Sequence, residues 1–160
     1  MPLIVSDAGP LIALSRIDRL ELLHKLFGKV MVPKTVVREL RLAEKRPGVL
    51  PLVQALRKDK WIKAMVPRGN LAVPGLDEGE SAAILLAAAQ ECPLLVDERR
   101  ARIVARKRGL SVLGTGRVLL AAREKGLIAS VGDTLDALRE SGYRLSDELC
   151  ARLRELAGEV

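Results

Sequence analysis

The sequence predicts an α/β protein whose mostly parallel sheet is covered by helices on both faces. Short, uniformly apolar runs such as residues 2–6 and 93–96 are typical of strands that are buried on both sides. Amphipathic or alanine-rich segments separate these runs, so strands and helices alternate along the chain. With 160 residues, the chain is long enough for one compact domain with a substantial core.

The strands are predicted from apolar runs bounded by turn residues. They cover residues 2–6, 29–32, 61–66, 93–96 and 110–113. Pro33 ends the second run, because proline has no amide hydrogen to give to a neighbouring strand. Glycine and proline mark two predicted loops, at residues 46–52 and 67–75.

The helices are predicted from 3.6-residue periodicity and from their end signals. Two short helices are expected within residues 10–26, broken near Ile17 and Asp18, and the others cover residues 34–45, 51–58, 77–91, 98–108, 115–125, 130–141 and 146–158. The segment 77–91 is the strongest of them, because it is dense in alanine and leucine. Ser146 is a suitable N-cap for the last helix.

Composition narrows the range of functions. A net charge of +7 favours a polyanionic partner such as nucleic acid, although charge of this size also serves solubility alone. Only three aromatic residues are present, so contacts with a nucleic acid would be mainly to phosphates. One histidine and two cysteines make a zinc site or histidine or cysteine catalysis improbable. No apolar run approaches about 20 residues, and the amino terminus lacks a signal-peptide pattern, so a cytoplasmic, non-membrane protein is expected.

Acidic residues stand where a parallel sheet forms its sites. Asp7 follows the first strand in LIVSDAG, and Asp97 follows the fourth in LLVDERR. Glu80 lies in the first turn of the helix 77–91, and Glu39 lies beside the apolar stripe of an earlier helix. Four carboxylates that converge on one cleft need a cation to stay ionised together, and Mg²⁺ or Mn²⁺ suits an all-oxygen site.

Each acid also has a simpler interpretation. Asp7 and Asp97 could cap the helices that follow them, and Glu80 could interact with the positive end of its helix. Glu39 could be a surface residue paired with a basic neighbour. Taken one at a time, these interpretations are preferable, and only the combination of the four favours a metal site.

The order of the acids resembles that in PIN-domain ribonucleases, which share the fold of VapC-type toxins, and in particular a poorly characterised PIN-like branch. The resemblance runs from residue 3 to about residue 128 and rests on VSDAGPLIAL, VPKTVVREL, LDEGESAAILLA, LLVDERRARIVARKRGL and LGTGRVLLAAREKGLI. It implies a three-layer α/β/α fold with a central, mostly parallel sheet. We expect a PIN-like domain over residues 1–128 and a C-terminal helical pair over residues 129–160 packed on the same domain.

The resemblance also implies roles for individual residues. The catalytic acids would be Asp7, Glu39, Glu80 and Asp97, and three of them, Asp7, Glu80 and Asp97, would bind Mg²⁺ or Mn²⁺. Thr115 would be a polar neighbour of the metal site. Basic side chains close in sequence to Asp97 and Thr115 are candidates for RNA contacts, with a solvated helix face as the equally weighted alternative; they are Arg99, Arg100, Arg102 and Arg117.

The function that the resemblance implies is that of a metal-dependent endoribonuclease, in its most specific form the toxin of a toxin–antitoxin pair. Its partners would be RNA, a small antitoxin protein and a second copy of the chain in a homodimer. The alternative is a PIN-like module with little or no nuclease activity that binds RNA or protein. A phosphate-accepting receiver domain is disfavoured, because Asp7 has no acidic neighbour after the first strand.

Overall fold

A five-stranded parallel sheet organises the computed structural model, which describes residues 3–42, 46, 48–69 and 73–159. The strands are β1 (Ile4–Ser6), β2 (Val30–Pro33), β3 (Ile62–Met65), β4 (Leu94–Leu95) and β5 (Val112–Leu113). They lie in the order β3-β2-β1-β4-β5, and every pairing is parallel. The predicted α/β class with a parallel sheet is therefore confirmed.

Helices follow the strands in the order that the periodicity predicts. They are α1 (Ala8–Arg16), α2 (Glu21–Phe27), α3 (Lys34–Leu42), α4 (Leu50–Arg57), α5 (Glu78–Gln90), α6 (Arg99–Lys107), α7 (Thr115–Glu124), α8 (Val131–Glu140) and α9 (Asp147–Leu156). The loop predicted at residues 46–52 is wrong at its end, because α4 begins at Leu50 and accommodates Pro51 in its first turn. Four parts of the predicted elements lie outside the described residues: residue 2 of the first strand, residues 43–45 of the helix 34–45, residue 47 of the first loop and residues 70–72 of the second loop.

Side chains alternate between the two faces of the sheet and thereby build two cores. On β1, Ile4 enters a core shared with α1 to α4 and α7 to α9, whereas Val5 enters a core formed with α5 and α6. On β4, Leu95 and Leu94 divide in the same way. Because successive residues of a strand point to opposite faces, uniformly apolar strands bury both sides of the sheet. The result is three layers, with helices on either side of the strands.

The C-terminal helices α8 and α9 pack on the larger of these cores. Leu153 of α9 is 5% exposed and lies against Gly116 of α7, where an added Cβ would come within 2.6 Å of the leucine Cδ1. Glu159 accepts hydrogen bonds from the Val131 and Gly132 amides, both at 2.8 Å. These amides belong to the first turn of α8 and have no partner inside the helix, so Glu159 joins the end of the described chain to α8.

No helix within the described residues combines the length and the apolar character needed to cross a bilayer.

We expect Leu153→Ala to lower the free energy of unfolding by about 2–4 kcal/mol, because it removes a buried side chain and leaves a cavity against α7. Chemical denaturation monitored by circular dichroism measures the change. Leu156→Ala is the matched control: Leu156 is in the same helix but is 53% exposed, so its change should stay within about 0.5 kcal/mol. Equal losses in the two variants would contradict the packing of α9 on the core.

Candidate metal centre

The central strand β1 and its neighbour β4 end at a crevice. β1 and β4 are neighbours, and the chain continues from β1 to β2 on one side and from β4 to β5 on the other. Helices that leave adjacent strands in opposite directions open a crevice at the carboxyl ends of those strands. Asp7 and Asp97 follow these two strands, and the Asp7 amide donates to the Leu95 carbonyl at 3.0 Å.

The carboxylate of Asp7 does not cap α1. Asp7 occupies the N-cap position with an extended backbone, yet its side chain makes no capping hydrogen bond. Burial raises the pKa of Asp7 to about 6; the Ala8 amide opposes this change, and the negative charges of Glu39, Asp77 and Asp97 add to it. The simpler interpretation of Asp7 as a helix cap is therefore wrong, and its carboxylate stands among other acids.

Glu80, in contrast, does have the local role that the simpler interpretation allowed. The Glu80 amide donates to Asp77 Oδ1 at 2.7 Å, and the Asp77 amide donates to Glu80 Oε1 at 2.9 Å, which together form a capping box at the start of α5. Glu80 is only 7% exposed. Burial raises its pKa to about 7 against the Asp77 amide bond, and the charges of Asp77, Asp7 and Glu98 contribute. Glu80 is thus a helix cap and a member of the acidic group at once.

Glu39 reaches the same place from α3. A Cβ added at Gly79 would overlap Glu39 Oε1 and would lie 3.5 Å from Asp77 Oδ1, so the absence of a side chain at Gly79 lets Glu39 lie over the first turn of α5. Burial and the neighbouring charges of Asp77, Glu80 and Glu78 raise the pKa of Glu39. Among the described residues, the electrostatic neighbours that shift its pKa are acidic, whereas the simpler interpretation assumed a basic partner.

Asp97 is held by the start of α7 and by a tyrosine. Its Oδ1 accepts the Thr115 amide at 2.7 Å, and its Oδ2 accepts the Thr115 hydroxyl at 2.5 Å and the Tyr143 hydroxyl. The cap of α6 is Glu98, whose side chain accepts the Ala101 amide at 2.8 Å, so the simpler interpretation of Asp97 as that cap is wrong. The positive end of α7 instead stabilises the Asp97 carboxylate.

Two residues near the acids, Asp77 and Tyr143, were not predicted from the sequence. Asp77 could have been found, because an aspartate three residues before a glutamate at the start of an apolar run is the pattern of a capping box. Tyr143 lies 46 residues from Asp97, in the polar loop between α8 and α9, and no local pattern links the two. Burial and the charge of Asp97 raise the Tyr143 pKa, which keeps its hydroxyl a hydrogen-bond donor.

The predicted RNA-binding arginines have different surroundings. Arg102 Nη1 and Asp97 Oδ1 both border Gly114, at 3.2 and 3.1 Å from the position of an added Cβ, so Arg102 lies beside the acids. The Arg100 side chain lies against Gly75 in the segment before α5. Arg99 and Arg117 are exposed in the first turns of α6 and α7. We call Asp7, Glu39, Asp77, Glu80 and Asp97 the acid cluster, and these arginines adjoin its α6 and α7 side.

The donor chemistry of the acid cluster fits Mg²⁺ or Mn²⁺, because it consists of carboxylate oxygens in a partly buried, negatively charged crevice. The positions of these side chains fit a bound ion less well than their chemistry does. Within the part of the chain that the structure describes, no three His, Cys, Asp or Glu side chains are placed to hold one ion together. The capping box orients Glu80, and Thr115 and Tyr143 orient Asp97. Binding one ion through three of these carboxylates would therefore require some of the side chains to rotate.

Comparisons with known proteins agree with this architecture. A family model described as a PIN domain matches residues 3–159. Among solved structures, the chain is similar to a PilT N-terminus domain protein from the hyperthermophilic archaeon Sulfolobus solfataricus, with 16% sequence identity and a TM-score of 0.59 over 75% of this chain and 92% of that one. At that identity the likeness shows the fold alone. No protein of curated function matches the chain.

The raised pKa of Asp7 predicts that the metal-free protein loses stability as the pH rises. The folded state binds this proton more tightly than the unfolded state, so the contribution is complete below about pH 4 and is lost as the pH passes the folded pKa of about 6. Between pH 4 and 7, the free energy of unfolding of Asp7→Asn should fall by about 2–3 kcal/mol less than that of the wild type. Urea unfolding at each pH measures both. The exposed Glu140→Gln should follow the wild type, and superimposable profiles for all three proteins would contradict the burial of Asp7.

The bond between Tyr143 and Asp97 predicts a coupling energy. Tyr143→Phe keeps the ring and removes the donor, so it should lower the free energy of unfolding by about 1–3 kcal/mol. In an Asp97→Asn background the same substitution should have a smaller effect, because the charged acceptor is already gone. A double-mutant cycle by thermal unfolding measures the difference, and strict additivity would mean that the two side chains do not interact.

Proposed function

The chain belongs to the PIN-domain family, and from that premise we propose that it is a metal-dependent endoribonuclease. PIN domains have a nuclease-type fold and usually use divalent metals. The observation that carries the proposal is the meeting of carboxylates from four elements at the crevice between β1 and β4. Burial and mutual repulsion raise the pKa of three of these carboxyls, those of Asp7, Glu39 and Glu80. Such repulsion is the condition that a bound divalent cation relieves.

We assign the metal ligands to Asp7, Glu80 and Asp97. The Asp7 carboxylate makes no capping bond, and the capping box uses only Oε1 of Glu80. Asp97 Oδ1 accepts one hydrogen bond whereas Oδ2 accepts two, so Oδ1 keeps a lone pair for an ion. Each of the three side chains therefore has an oxygen to offer.

A divalent cation at this position would polarise a phosphodiester and lower the pKa of a bound water. The remaining steps belong to the protein. Glu39, half-buried beside the other acids, would accept a proton from the attacking water. Thr115 and Tyr143 hold Asp97 in one orientation, and Arg102 beside it supplies positive charge near the phosphate. In-line attack of the water on phosphorus would break the P–O3′ bond, and the departing 3′ oxygen would take a proton from solvent, which leaves 5′-phosphate and 3′-hydroxyl ends.

RNA is the proposed substrate because the protein has a positive net charge and basic side chains next to the acid cluster. The net charge of +7 attracts a polyanion, and the exposed Arg99 and Arg117 stand in the first turns of helices that begin beside the acid cluster. A small antitoxin as protein partner, a toxin role, a homodimer and a cytoplasmic location stay predictions.

A specific observation favours a second candidate, a PIN-like binding module with little or no nuclease activity. Within the described residues no three potential ligands are placed around one point, and Glu80 already stabilises α5 through its capping box. A protein that uses the fold only for RNA or protein contacts would keep such acids for local reasons.

Calorimetric titration with Mn²⁺ separates the two candidates. We expect the wild type to bind, and we expect Asp7→Asn combined with Asp97→Asn to weaken binding at least about 100-fold, because two ligands are lost. The control is Asp133→Asn combined with Glu140→Gln, which removes the same charge from exposed positions on α8. A metal-binding wild type that cleaves RNA only with Mn²⁺ present supports the nuclease. A folded wild type that binds no Mn²⁺ would leave the binding module.

A further inference from the structure

A second concave site adjoins the acid cluster. It is a pocket of about 370 Å³ between α3, α5 and residues 66–69 after β3, and we call it the α3–α5 pocket. Its lining includes Lys34, Thr35, Arg38, Pro67, Glu78 and Leu85. Its volume falls in the range of pockets that bind small ligands or single groups of larger ones. None of the predicted site residues lines it.

The pocket and the acid cluster share two walls. Thr35 precedes Glu39 by four residues on α3, so the two side chains lie on one face of that helix. Glu78 directly precedes Gly79, over which the Glu39 carboxylate lies. A group in the pocket would therefore lie next to the acids where we place the reaction.

The pocket offers the contacts that a nucleotide needs. Lys34 and Arg38 are one turn apart on α3, and both are exposed, so their charges can reach a phosphate at the rim. Among the described residues of the lining, Glu78 is the one acid. Val66, Pro67 and Leu85 add an apolar wall for a sugar or base. The basic rim of the pocket and its apolar wall are thus adjacent.

Thr35 supplies an independent observation. Its hydroxyl oxygen is buried and has no hydrogen-bond partner among the described residues. A buried hydroxyl without a partner is destabilising, and such groups are rare in native structures. Thr35 lines the pocket between Lys34 and Arg38, so its hydroxyl would reach a phosphate oxygen bound there after a rotation about χ1.

We propose that the α3–α5 pocket binds a nucleotide that flanks the scissile phosphodiester, with its phosphate on Lys34, Thr35 and Arg38 and its sugar and base on the apolar wall. This inference rests on the proposed function and specifies the substrate path. α3 follows β2 and α6 follows β4, on opposite sides of β1. An RNA strand would therefore run from the pocket, across the acid cluster, to the arginines of α6 and α7.

Fluorescence anisotropy with a short fluorescein-labelled single-stranded RNA tests the site, in EDTA so that cleavage does not interfere. Lys34→Gln combined with Arg38→Gln should raise the Kd about tenfold and should make its salt dependence shallower by about 0.7 per lost phosphate contact. The matched control is Lys107→Gln combined with Arg108→Gln, which removes the same charge from exposed residues at the far end of α6. The control should bind nearly as the wild type does.

Thr35→Val tests the hydroxyl on its own, because valine keeps the branched shape and the substitution changes no charge. We expect weaker RNA binding with an unchanged or higher Tm, since the substitution removes an unpaired polar group. If the Thr35 variant and the Lys34/Arg38 variant both bind RNA with wild-type affinity, the pocket proposal is overturned. It is also overturned if the control pair loses as much RNA affinity as the Lys34/Arg38 variant. Either result leaves the nuclease proposal intact. A wild type that binds no RNA overturns the pocket and the RNA substrate together, and the Mn²⁺ titration then shows whether the metal site survives.

Discussion

Repulsion among partly buried carboxylates at the carboxyl edge of the sheet is the constraint on which the rest of the site depends. Burial alone disfavours the charged form of Asp7 and Glu80, and each additional acid makes ionisation harder. Such a group survives in a fold only where other interactions compensate for it. In this protein the compensation is local, and it comes from the beginnings of helices.

Two helix starts carry most of that compensation. The capping box of α5 holds Asp77 and Glu80 through backbone amides, and the first turn of α7 holds Asp97 through Thr115. Free amides and the positive end of a helix stabilise negative charge, so a parallel sheet that begins helices at one edge can collect acids there. Asp7 makes no capping hydrogen bond, and the Ala8 amide offsets the rise in its pKa only in part, so a cation would stabilise its charge further.

Much of the fold follows from local patterns in the sequence, and part of the site does not. Apolar runs and helix periodicity locate the strands and helices, because positions that are buried on both faces of the sheet must be occupied by apolar residues. The rule that parallel strands end at one edge brings Asp7 and Asp97 together without any long-range information. The hydrogen bond between Tyr143 and Asp97 joins residues that are 46 positions apart. It depends on the path of the loop after α8, and the two residue types do not predict it. The approach of Glu39 to α5 likewise depends on the missing side chain at Gly79, whose meaning appears only when the two helices are packed.

The tyrosine that reaches Asp97 is also the only tyrosine in the chain. Its near-ultraviolet absorption therefore reports on one hydrogen bond inside the acid cluster, with no labelling and no overlap from other tyrosines. The single tryptophan, Trp61, stacks on His24 at 4.9 Å before β3, at the opposite edge of the sheet. The protein thus carries one native chromophore at the candidate site and a second one in the scaffold that serves as an internal reference.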